Sequence, residues 1–151
     1  MSNWITIAVT DLNDYLVAAQ VNALRTAALA SGQADPFTNV MRDVIAEVRF
    51  KIQSCPANKL SATAYTIPPE LKKTACYLIL ESMQNRIPAL KLTEDQKGQV
   101  DRAVAQLNRI ADCRDKITQP TDPIGTDATA SSTPSIIAKP LSFTRINQDG
   151  I

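Results

Sequence analysis

Between positions 35 and 53 the chain carries a pattern that leaves little choice of fold. Phe37, Val40, Met41, Val44, Ile45, Val48 and Ile52 fall at steps of three and four. That is the spacing of one face of an α-helix, which turns once in about 3.6 residues. Arg42, Asp43, Glu47, Arg49 and Lys51 fill much of the remaining circumference. Asp35 is placed to accept hydrogen bonds from the helix's free N–H groups, and Pro36 suits a first helical turn. Cys55-Pro56 follows the last periodic residue and predicts the stop. A helix this amphipathic needs an apolar surface to lie on.

Further helices supply it. Thr10 reads as an N-cap, with Asp11 and Asp14 in the first turn, where the helix dipole favours negative charge. Val21, Leu24 and Ala28 share a face, and Gly32 suits a C′ position. Residues 11–31 are compatible with one helix or with two, with a break placed at Ala18–Gln20. Pro68-Pro69-Glu70 reads as a helix entry. Leu71, Ala75, Leu78, Ile79 and Met83 form the next stripe, widened by Tyr77, Leu80 and Ile87, and Pro88 ends it. A surface that wide predicts a helix at the centre of the bundle or against a neighbouring subunit. Thr93 with Gln96 three residues on is a capping box. It opens a helix carrying Val100, Ala103, Val104, Leu107, Ile110 and Ala111, which should end at Arg114–Lys116.

The two ends differ from this. Trp4–Val9 alternates Ile5, Ile7 and Val9 with Thr6 and Ala8. It is expected to be an extended strap packed on the bundle, because a lone strand cannot satisfy its own backbone. From Thr118 the chain turns to Pro, Ser and Thr, which predicts a flexible linker. Beyond it Ile136, Ile137, Leu141, Phe143, Arg145 and Ile146 return apolar, strand-like character. An apolar segment beyond a linker is read as a partner-binding arm that adds a strand to another protein. The competing reading is a segment that folds back on its own domain. The expectation is therefore an all-α bundle of four to five helices over residues 1–117, with a linker and arm over residues 118–151.

Composition removes most chemistry. The 151 residues suffice for one domain with a core. Histidine is absent, which excludes Ser–His and Cys–His nucleophiles and His-ligated metals. No Gly-rich phosphate loop exists among the four glycines. A net charge of +1 argues against a dedicated nucleic-acid binder. Cys55, Cys76 and Cys113 are widely spaced and odd in number, so reduced thiols in a cytosolic product are expected. No stretch resembles a signal peptide or reaches the roughly 20 apolar residues of a membrane span, so the expectation is a soluble protein made in the cytoplasm. Glu70, Glu81, Glu94 and Asp95 are best read as helix-end and surface charges, so no catalytic residue, metal or cofactor is expected. Lys72 and Lys73 begin a helix against the dipole preference. They are candidates for contact with DNA phosphates or an acidic partner, weighed against an ordinary solvated pair.

The order of motifs also carries a resemblance. An ITI start is followed by TDLNDYL, ALRTAALASGQADP, an EVR-bearing helix, Asn58-Lys59-Leu60, IPPELK, a helix ending in RIP, and TEDQK. Over roughly residues 3–115 this resembles the head–tail connector proteins of tailed phages, the adaptor or head-completion family beneath the portal. The resemblance implies a helical bundle that forms a ring, commonly of twelve copies, in the head–tail junction of the virion. It also implies assembly in the host cytoplasm, contacts with other neck or tail proteins, and a C-terminal extension on the portal protein. Double-stranded DNA would pass through the ring without sequence-specific binding. No catalytic residues carry over. The alternatives are a β-rich neck component, which the helical stripes disfavour, a generic helical interaction module, and a weak DNA-binding protein.

Overall fold

The computed structural model describes residues 2–26, 32–33, 35–85 and 92–125. Within them the protein is all-α. A 3₁₀ segment at Val9–Asp14 precedes α1 (Ala18–Thr26) and α2 (Phe37–Gln53). A 3₁₀ turn at Pro69–Leu71 then leads into α3 (Lys72–Gln84), and α4 (Glu94–Ala111) follows. No β-strand occurs among the described residues, only single antiparallel bridges at Ile5–Ile67 and Ser61–Pro123.

The helix boundaries follow local chemistry. Asp35 Oδ1 accepts the Phe37 N–H at 2.9 Å and fixes the entry of α2, while its other oxygen pairs with Arg25 at 2.6 Å. Thr93 and Gln96 form the reciprocal box, at 3.3 and 3.0 Å. At the N-terminal end the cap differs from the expectation. The helical segment starts at Val9, before Thr10, because Asp11 reaches back to the Ala8 N–H at 2.7 Å. The break before α1 lies at Tyr15–Val17, slightly earlier than Ala18–Gln20. α4 stops at Ala111 instead of running to Arg114–Lys116, and Cys113 beyond it has φ 59°.

α3 is the central helix. It buries Thr74, Ala75, Cys76, Leu78, Ile79, Leu80 and Met83, and it packs against α1, α2 and α4. A wide apolar surface is what such a position needs, since neighbours approach from several sides. α2 contributes Phe37, Val44, Ile45, Val48 and Ile52, and α4 contributes Val100, Ala103, Leu107 and Ile110. Val104, expected on the apolar stripe of α4, is 44% exposed instead. Tyr15 and Tyr77 meet with ring centroids 5.3 Å apart, which joins the first helical segment to α3. Lys72, at the start of α3, pairs with Asp11 at 2.8 Å and Asp14 at 3.2 Å across the same junction.

The N-terminal strap packs on the bundle as expected. Ile5 and Ile67 exchange backbone hydrogen bonds at 2.8 and 2.9 Å. The buried side chains are Trp4 and Ile7, with Ile5 half-buried, so the strict alternation of a strand is not kept.

The cysteines correct the sequence reading. Cys55 and Cys113 form a disulfide, and Cys76 alone among the three is a free, buried thiol. The bridge ties the turn after α2 to the turn after α4, where helix ends come together. Spacing along the sequence could not show that approach. Burial pushes the Cys76 thiol up to about 12. No helix among the described residues is long and apolar enough to cross a membrane.

Candidate partner-docking surface

The loop after α2 is organised by one side chain. Arg49 lies on α2 beside the apolar stripe, and its guanidinium donates to the carbonyls of Thr66 at 2.8 Å, Ser61 at 2.7 Å and Thr63 at 3.4 Å. Its planar fork suits several acceptors at once. The same group lies 5.7 Å from the centre of the Trp4 ring. Burial lowers the Arg49 pKa, and the charge of Asp122 opposes that shift. The loop thus takes its shape from a charge set within carbonyl oxygens, and Tyr65 adopts φ 58° along its course.

The chain after α4 returns to this loop. Residues 118–125 were expected to begin a linker, and the structure corrects that boundary. Ile117 and Pro120 are buried. The Trp4 Nε1–H donates to the Thr118 carbonyl at 2.9 Å, and Glu70 accepts the Thr118 N–H. Gln119 accepts the Lys59 N–H at 3.0 Å and donates to Asn58 Oδ1 at 3.2 Å. Asn3 donates to the Gln119 carbonyl at 3.1 Å and accepts the Thr121 N–H at 3.0 Å. Asp122 receives the Ser61 hydroxyl at 2.8 Å and the Thr63 hydroxyl at 2.7 Å. Hydroxyl donors from Ser2 first, then Thr63 and Ser61, hold its carboxyl well below the usual carboxylate range. Two backbone bonds complete the seam, Ala62 N–H to Asp122 O and Ile124 N–H to Leu60 O, both at 2.7 Å. A polar, Pro-containing sequence therefore binds through hydrogen bonds to its own strap and loop, a match that composition does not reveal.

Beside this seam lies an exposed apolar groove. Ala46, Arg49, Phe50 and Gln53 of α2 form one wall, and Leu60, Ala64 and Tyr65 of the loop form the other. Phe50 is 68% exposed, Tyr65 45% and Ile124, at the end of the seam, 49%. The Arg42 guanidinium sits 5.3 Å from the centre of the Tyr65 ring. Phe50 lies outside the apolar stripe of α2, so helical periodicity does not single it out. An aromatic residue on the polar side of a helix was the available signal.

The sequence-predicted site residues separate. Ile136, Ile137, Leu141, Phe143, Arg145 and Ile146 lie outside the described residues. Lys72 pairs within its own chain with Asp11 and Asp14, which raise its pKa by hydrogen bonding. Lys73 points elsewhere, with Nζ 5.9 Å from the centre of the Tyr77 ring. It shares a shallow groove between α3 and α4 with Arg102, Gln99 and Gln106. Among the described residues no group of three or more His, Cys, Asp or Glu side chains is placed to hold a metal ion. Comparison with protein-family models, with curated proteins and with solved structures finds no match for this chain.

Proposed function

We propose that this chain is a structural adaptor of the head–tail junction of a tailed phage. In this reading it is a stiff helical wedge that assembles as a ring beneath the portal protein and anchors there through its C-terminal arm. The observation that carries the reading is the seam at residues 117–124. It fixes the chain to the bundle and starts the arm, residues 126–151, from one defined point beside an aromatic groove. An arm that starts from a fixed point on each copy presents itself at regular intervals around a ring. Linkage then makes release of the whole ring improbable even where each contact is weak. The near-zero net charge suits a channel that passes DNA without gripping it, because phosphate contacts accumulate.

A second reading, weak contact with DNA, is supported by the groove in which Lys73 and Arg102 lie together. Two cations per copy add up around a ring, and such contact weakens steeply with salt. Loss of DNA retention at low salt in a Lys73→Gln, Arg102→Gln double variant supports it.

The test of the adaptor reading is co-purification with the portal protein of the same virus. The full chain is compared with one ending after Gly125, which keeps the whole seam. The expected outcome is a ring-shaped complex with the full chain and none with the shortened one. Equal binding by both shifts the contact to the bundle, and binding by neither overturns the adaptor reading.

A further inference from the structure

We propose that Cys55 and Cys113 form a reversible redox site. Cys113 exchanges with a small disulfide such as oxidised glutathione, Cys55 resolves the adduct, and the bond so made locks the seam to the loop after α2. The three cysteines differ in access. Cys113 is exposed in the turn after α4, whereas Cys55 is 2% exposed and Cys76 is buried in α3. An outside disulfide therefore reaches Cys113 first. The backbone indicates that Cys113 is placed for its sulfur. α4 ends in a Schellman motif, in which the Cys113 N–H donates to the Ile110 carbonyl at 3.0 Å and the Arg114 N–H to the Arg109 carbonyl at 2.8 Å. The C′ residue of that motif is left-handed, with φ 59° here, and glycine is its usual occupant. A cysteine stands there at a cost to the backbone, and its sulfur is bonded to that of Cys55, the two Cα atoms 5.3 Å apart.

The exchange runs in two steps. The Cys113 thiolate attacks one sulfur of oxidised glutathione, forms a mixed disulfide and releases one glutathione thiolate. The Cys55 thiolate then attacks the Cys113 sulfur and releases the second. The two protein thiols lose two electrons and two protons, and the glutathione disulfide takes them up as two glutathione thiols. Reduction retraces the path: a thiolate attacks the exposed Cys113 sulfur and Cys55 leaves. Both cysteines lie just past a helix C-terminus, which disfavours a thiolate, so the exchange takes minutes to hours. What the bond controls follows from where its ends lead. From Cys55 the chain enters the loop to Thr66, and from Cys113 it runs through Ile117 into the seam. Gln119 bonds to Asn58 and Lys59, the loop residues that follow Cys55 most closely. No ion pair joins the two segments among the described residues. Opening the bond leaves exposed hydrogen bonds between them, and such contacts open locally at low cost. This inference does not rest on the adaptor reading.

The experiment starts from the full chain reduced with dithiothreitol and then freed of it. Oxidised glutathione is added, the reaction is quenched with iodoacetamide over a time course, and peptides are read by mass spectrometry. The expected outcome is a glutathione adduct on Cys113 that rises and falls as the Cys55–Cys113 bond forms, and that persists in Cys55→Ser. An adduct first on Cys55 or Cys76 overturns the assignment, as does no reaction at Cys113. The parent chain carries this test whether or not the variant folds. Amide hydrogen exchange of the parent chain, bridged and reduced, tests the lock. The Lys59, Ala62 and Ile124 amides donate across the seam. Relative to the amides of α3, they are expected to exchange roughly tenfold faster or more once the chain is reduced, and an unchanged ratio overturns the lock.

Discussion

Arg49 holds the loop on which the seam closes. Its guanidinium serves three carbonyls of one loop, of which that of Thr63 also accepts the Thr66 hydroxyl at 2.8 Å. Arg49→Met is expected to leave the Ser61 and Thr66 carbonyls poorly satisfied and to cost about 1–3 kcal/mol, read by urea unfolding. Arg49→Lys keeps the charge but not the planar fork, and falls between the two. Asp122 gives a pH signature. Its carboxyl is held below the ordinary value of 3.8, so the stability it contributes is present above that value and is lost as pH falls through the lower folded value. Asp122→Asn is therefore expected to lower the melting temperature most near neutral pH, with the gap to the parent chain narrowing below about pH 4. Melting curves from neutral to acid pH measure it.

At the scale of elements, the helices were legible because burial on one side of a helix leaves a period in the sequence. The stripe of α2, the capping box of α4 and the Pro68-Pro69 entry to α3 are each written in adjacent residues. What was not legible depends on which elements meet. Lys72 gave no local sign that Asp11 and Asp14, some sixty positions earlier, would reach it. The seam was hidden because its partners are ordinary polar residues of the strap and loop. The bridge between Cys55 and Cys113 required the ends of α2 and α4 to be adjacent, and the odd cysteine count argued the other way. That bridge closes a loop of 58 residues. Cys113→Ser, which removes it, is expected to lower stability by about 2–4 kcal/mol, read by denaturant unfolding of parent and variant. In the parent chain, thiol titration under native conditions should find Cys76 unreactive, because it is buried and held as the thiol.

For the whole molecule, the boundary between body and arm decides what a shortened protein reports. Composition sets that boundary at Ile117–Thr118, whereas the hydrogen bonds set it after Ile124. The two positions give different outcomes. A chain ending after Lys116 loses Ile117 and Pro120 from the interior, the acceptor for Trp4 Nε1 at Thr118, and the Asp122 clasp on Ser61 and Thr63. Loss of the Ile117 contact alone is worth about 1.5–3 kcal/mol where the side chain is fully buried. A chain ending after Gly125 loses none of these. Trp4 is the single tryptophan and is 4% exposed, so its fluorescence reads the seam directly. The expected result is a red-shifted emission and a lower melting temperature for the chain ending after Lys116, with the chain ending after Gly125 matching the full protein in both. Equal spectra and melting temperatures for all three chains would show that residues 117–125 add nothing to the body. The arm would then begin where composition places it, and its point of departure would no longer be fixed beside the Phe50 groove.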